Sequence, residues 1–271
     1  MSFPNTSAWF SGGNWPAVSV PSPARPAMTP QPALPTYPTY PTWPVATMTA
    51  APGGFFAPPP SYPASNAPAM WTRLHPYIAQ SPTLCRQLAH MAQAGWTVQW
   101  GHQQGSSCDH HTHQLVIDVN VPEHVLVQTV AHEASHVFDS VIDARLYATE
   151  SAYADAMMRK EAVALINHMR VRSEIFQGSG VDIGFSQRDA GYYEGAVVFH
   201  QRHGNDERLL QHVQRMMPWD LAGRFARCYW EVFLNFWRGS RGLPLVAAPA
   251  AMVEARRAQA WAALATEINA G

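Results

Sequence analysis

Proline divides this chain before any motif is considered. Residues 1–71 hold 17 of the 23 prolines and one charged residue, Arg25, while all 19 acidic residues lie at Asp109 or beyond. Proline fixes φ and withholds a backbone donor, so runs such as PTYPTYPTWP at 35–44 and PPP at 58–60 favour extended polyproline-like conformations over a packed core. The expected organisation is a disordered or semi-rigid leader over residues 1–70, followed by one folded domain over 71–271. The leader reads first as a spacer or export segment, with Tyr and Trp side chains that could dock a partner.

The folded part reads as α+β, predominantly helical with a small sheet. Ser81-Pro82 is an N-cap followed by a first-turn proline; the helix it opens should stop at Gly95. WTVQWG at 96–101 and HQLVIDVN at 113–120 are the strand candidates. The polar stretch HQQGSSCDHHTH lies between them. Pro122 then opens a helix expected to run to Tyr147, with Val125, Leu126, Val130, Val137 and Phe138 at helical spacing. Further helices are expected near 152–176, 206–238 and 248–269, with a looser stretch after 178.

Charge and cysteine narrow the function classes. A formal net charge of −1 offers no basic face for nucleic acid. No run reaches the ~18 apolar residues of a membrane span, and the first residues carry no Sec-type signal. Three cysteines without a C-x-x-C pair argue against a disulfide framework.

Within the Pro122 helix lies His132-Glu133-Ala134-Ser135-His136. Two histidines four residues apart share one helix face, so both imidazoles can reach one ion. Zinc accepts imidazole nitrogen and, in a catalytic site, keeps a position for water. The intervening Glu133 is placed to take a proton from that water. Random placement would give H-E-x-x-H in roughly two of a hundred sequences of this composition; its setting in an amphipathic helix after a strand makes it more specific.

A third ligand is needed. The longer H-E-x-x-H-x-x-G-x-x-H pattern is absent, because Asp139 and Ile142 stand at its Gly and last His positions. A carboxylate from the next helix is the remaining plan, with Glu161, Glu150 and Asp155 as candidates. Glu161 leads: Met157, Met158, Ala164 and Leu165 surround it, and a carboxylate on an apolar helix face is unfavourable unless paired or metal-bound. Glu150 and Asp155 fall in the first turn, where acids are favoured by the helix dipole alone.

HEASH followed by KEAVALINHMRVRSEI resembles the HExxH-plus-glutamate (gluzincin-type, zincin-like) metallopeptidases, and among them the small effector and toxin metallopeptidases of bacteria. The likeness covers about 113–178. It implies a zincin-like fold, a Zn2+ cofactor, hydrolysis of a peptide bond in a protein substrate, and delivery into a target cell by a dedicated secretion system, with a secretion or immunity partner. His168, seven residues after Glu161, falls on nearly the same face and either supports the site or is a core histidine.

Peptide hydrolysis also needs a donor for the developing oxyanion. Tyr192, Tyr193, His200, His203, Arg170 and Arg172 are available, and Tyr193 is taken as the catalytic candidate. The loop Cys108-Asp109-His110-His111-Thr112-His113 lacks a second half with zinc-finger spacing and reads as a polar loop at the rim of the cleft. The competing reading is a non-catalytic interaction or scaffold protein that uses the Pro/Tyr repeat as a ligand.

Overall fold

The computed structural model describes residues 61–102, 105–139, 141–185, 189–204, 206–220 and 227–270. The expected leader therefore lies outside the described residues except for its last ten positions. Those ten already bond into the fold. Ala64–Ser65 forms a short strand β1, Asn66 exchanges two hydrogen bonds with the Trp100 backbone, and the Trp71 indole donates to the Pro63 carbonyl. The folded part thus reaches back before Trp71, because prolines at an extended edge do not interrupt pairing.

Two helices, α1 (Ala69–Ile78) and α2 (Pro82–Gln93), lead into strand β2 (Thr97–Gly101), the short β3 (Ser107–Asp109) and β4 (Gln114–Asp118). The sheet order is β1-β2-β4-β3, with β3 the antiparallel edge and the other neighbours parallel. Along β4, Leu115 and Ile117 are fully buried while the residues between them are not, the period-2 pattern of a strand with one face on a core. β3 and α1 lie where no strand or helix was expected from the sequence.

Helix α3 (Glu123–His136) carries HEASH in its last turn. It is shorter than the expected 122–147 span. Phe138 and Asp139 N–H groups bond the Ser135 and His136 carbonyls, i→i+3 bonds that tighten and end the helix. A short 3-10 turn, Ala144–Leu146, follows. Helix α4 (Glu150–Ser179) begins at Thr149, whose side chain accepts from the Ala152 N–H, and ends at Gly180, left-handed at φ 72°.

The span expected as one helix over 206–238 contains α6 (Asp206–Met216), a 3-10 turn at Met217–Trp219 and α7 (Tyr229–Gly239). Pro218 lies inside that turn, where its missing N–H interrupts the helical ladder. The looser stretch contains α5 (Ala190–His203), and α8 (Ala250–Ala270) closes the chain. No helix among the described residues is long and apolar enough to cross a membrane.

The molecule is α+β, dominated by helix, and α4 is its axis. One core cluster packs the sheet, α1, α2 and α3 against Val171 and Ile175 of α4. The other packs Met158, Ala162, Leu165 and Met169 of the same helix against α5, α6, α7 and α8. Polar bonds fix the α3–α4 seam: the Asn167 amide donates to the Ala131 carbonyl at 2.8 Å and pairs with Gln87 of α2. Glu174 of α4 accepts from Ser81, the Thr83 N–H and the Thr83 hydroxyl, holding the start of α2.

Candidate metal centre

Among the described residues, one group of His, Cys, Asp and Glu side chains brings three donor atoms within 4.8 Å of one another: His132, His136 and Glu161. Helix α3 supplies the histidines one turn apart, and the seam at Ala131–Asn167 brings α4 to the depth at which Glu161 meets them. His132 Nε2 lies 3.3 Å from His136 Nε2 and 3.2 Å from Glu161 Oε2; His136 Nε2 lies 3.7 Å from Glu161 Oε1. Donors about 2.0–2.1 Å from a tetrahedral zinc stand roughly 3.3 Å apart. The three residues therefore fit one such ion, with the donor set of two imidazoles and one carboxylate that zinc accepts.

The group is secluded. The side chains of His132, His136 and Glu161 are 15%, 11% and 7% exposed. Burial pushes the Glu161 carboxyl up, yet His136, the hydrogen bond from His132 and the His132 ring outweigh it and hold the carboxyl below its ordinary value. Burial pushes His136 down, but Glu161, a hydrogen bond to Asp139 and Glu133 raise it overall. Glu133, half-buried, is raised above its ordinary value by desolvation first and by Glu161, against the pull of His132 and His136. Three carboxylates and two imidazoles thus share one small volume with charges arranged to favour a cation.

Two supporting features escaped the sequence reading. Asp139 Oδ2 lies 3.1 Å from His136 Nδ1, so it can take that N–H and turn Nε2 toward Glu161. An Asp three residues after the second histidine was its only sequence signal. Tyr229, at the start of α7, is the second. Burial raises its phenol well above the ordinary value, and Glu161, Asp220 and Glu133 raise it further. Two carboxylates of the centre, Glu161 and Glu133, thus act on its phenol, although 68 residues separate it from Glu161 in the chain.

The other expected residues sit elsewhere. Tyr193 is fully buried in the α5–α8 core, where its hydroxyl donates to Asp220 Oδ2 at 3.0 Å; Tyr192 likewise donates to the His212 carbonyl. The sequence assigned Tyr193 to the site, but α5 turns it into the core, where its hydroxyl is committed to Asp220. Glu150 pairs with Arg238 at 2.8 Å, and Asp155 is exposed. Arg172 binds Asp182 and Glu194. Strand β3, within the expected rim loop, packs against α3, and Glu133 raises the buried Cys108 thiol after burial itself. Cys85, Cys108 and Cys228 are all free thiols.

His168 is 1% exposed, and its Nε2 has no hydrogen-bond partner. Burial, assisted by His132, lowers it from 6.5 to about 3, so the folded chain keeps it neutral. An unfolded histidine takes a proton below 6.5 that this folded one refuses. The stability it contributes is therefore complete above pH 6.5 and lost progressively as pH falls toward 3, by up to ~1.4 kcal/mol per pH unit. Urea unfolding across that window, with a chelator present, should show a shallower pH slope in His168→Leu than in the unmutated chain. Equal slopes would remove His168 as the cause.

Compared with models of protein families, with curated proteins and with solved structures, the chain matches none of them.

Proposed function

We propose that the protein is a zinc metallopeptidase that hydrolyses a peptide bond in a protein substrate. The observation that carries this reading is the meeting of His132, His136 and Glu161 at zinc-ligand spacing, with Glu133 beside them. His132, His136 and Glu161 would hold the ion. Zinc supplies Lewis acidity there, acidifying water and polarising a carbonyl. Glu133 accepts the proton of the attacking water and returns it to the leaving amine. Asp139 holds the His136 ring in the orientation that keeps Nε2 toward Glu161.

The surroundings suit a polypeptide. β3, the antiparallel edge of the sheet, packs against α3, and Phe138, Val141 and Leu146 just beyond HEASH are 51%, 63% and 81% exposed. An open strand edge and apolar side chains are what an extended peptide uses for main-chain pairing and side-chain docking. A zincin-like arrangement, with the HExxH helix under a small mixed sheet and a glutamate from the next helix, accords with this. The Pro-rich leader supports, through the resemblance, an effector that acts in a target cell after delivery by a dedicated secretion system.

Tyr229 is the donor we assign to the developing oxyanion, in place of Tyr193. Tyr229→Phe should lower kcat roughly 10²- to 10³-fold, the usual effect of removing one such donor, while zinc content stays the same. A Phe variant with unaltered kcat would take Tyr229 out of the mechanism. The function itself is tested by comparing new protein N-termini in a cell extract after treatment with the zinc-loaded chain and with Glu133→Gln. Cleavages seen only with the former are expected; the same cleavage pattern from both, or none from either, would overturn the peptidase reading.

A further inference from the structure

A second concave feature lies along the α4–α5 seam, lined by none of the metal-centre residues. It is a pocket of about 250 Å³. Met169 and Phe176 of α4, Val197 and Val198 of α5 and Phe185 of the connecting segment make its apolar walls. For scale, an apolar protein cavity of about 150 Å³ accepts benzene, so a bicyclic aromatic body fits here.

The polar part of the pocket is built around Arg172. Its Nε and Nη2 donate to the two Asp182 oxygens at 2.6 and 2.7 Å, its Nη1 donates to Glu194 Oε1 at 3.0 Å, and its guanidinium lies 4.6 Å from the centre of the Phe185 ring. One cation thus ties α4, α5 and the 182–185 segment into fixed walls, so the pocket is preformed. Two carboxylates answer that single guanidinium, leaving the lining one negative charge in excess. Glu194 meets Arg172 through Oε1, and Gln201 adds a further polar group at the lining. Phe176, of the lining, and Val181, five residues on, are 41% and 40% exposed among the described residues.

We propose that this pocket is a binding site for an aromatic amine: a flat apolar body between Phe176, Phe185 and the valines, with a protonated amino group against Glu194. The walls supply apolar area and ring faces for the body, and a cation beside those rings gains from their negative faces. An aromatic acid of the same shape gains the same area but meets the excess negative charge, and Arg172 is already committed to two carboxylates. The site is independent of the metal centre, and so is its test.

Tryptamine and indole-3-acetate serve as matched probes, each titrated into the full chain and followed by calorimetry. Tryptamine should bind about tenfold tighter or more, with the preference shrinking as salt is raised. In Glu194→Gln the preference should fall to about twofold, and in Val197→Trp, which fills the pocket, both probes should lose binding. Tryptamine should bind the His132→Ala/His136→Ala chain as it binds the unmutated one. Equal affinity for the two probes, tighter binding of the acid, no binding of either, or a preference unchanged in Glu194→Gln would each overturn the proposal. Should Val197→Trp fail to fold, Glu194→Gln alone decides, since it alters one partly exposed carboxylate at the lining.

Discussion

A chain carrying His132→Ala and His136→Ala is expected to hold no zinc after purification and to gain no thermal stability when zinc is added. Two of the three donors come from these rings, and the remaining carboxylate of Glu161 offers a single site. For the unmutated chain, zinc at a hundredfold excess over its Kd adds about 2.7 kcal/mol to the folded state, which for a domain of this size raises Tm by about 5–10 °C. The double variant should show none of that rise. It should also be weaker without metal, because Glu161, 7% exposed, then lacks both imidazoles that stabilise its charge. Glu161→Gln separates the two effects. It keeps the volume and a hydrogen-bonding oxygen but removes the ionised ligand, so zinc affinity should fall by more than the ~10–100-fold typical of an outer hydrogen-bond partner, with a smaller loss of metal-free stability than in the double variant, which leaves the buried charge unpaired. Metal analysis and thermal unfolding with and without zinc measure both. A double variant that retains zinc would place the metal elsewhere.

Glu133→Gln has the largest expected effect on turnover. The glutamine fills the same space and can still accept a hydrogen bond, but it cannot take a proton. Loss of the general base should lower kcat about 10²- to 10⁴-fold, with zinc content and the zinc-dependent Tm rise retained. The metal-free fold should tolerate the change well, since burial and Glu161 already push the Glu133 carboxyl toward its neutral form. The pairing of retained metal with lost turnover distinguishes a proton-transfer role from a structural one. If the Gln variant turned over substrate like its parent, the base would have to be another group.

The contrast between Glu161 and Tyr193 shows how far sequence reasoning reached. Glu161 was legible because a carboxylate among Met157, Met158, Ala164 and Leu165 breaks the apolar pattern of its helix, and such a break needs a compensating partner. The structure brings it to His132 and His136. Tyr193 offered no comparable contradiction. A tyrosine on a half-apolar helix suits a core as well as a site, and here its hydroxyl goes to Asp220. Tyr229 and Asp139 were missed for two reasons. Tyr229 stands on α7, which meets α4 only through tertiary packing, and Asp139 acts only once α3 ends at His136. Helix ends were likewise misjudged where tertiary contacts decide them, as in the stretch after HEASH, while α2 and β4 follow their caps and alternation closely.

By itself, the sequence determined the helix-dominated α+β class, the pairing of His132 with His136 on one helix face and the position of Glu133 between them. Each depends on neighbours within a few residues, through the 3.6-residue helical period or the 2-residue strand period. Only the tertiary structure decided that Glu161 reaches those histidines, that the Tyr193 hydroxyl is taken up by Asp220, and that an aromatic-lined pocket opens between α4 and α5. Those depend on which faces of α4 pack on which partners. That choice is made by burial summed over two separate cores, and no local stretch of the chain encodes it.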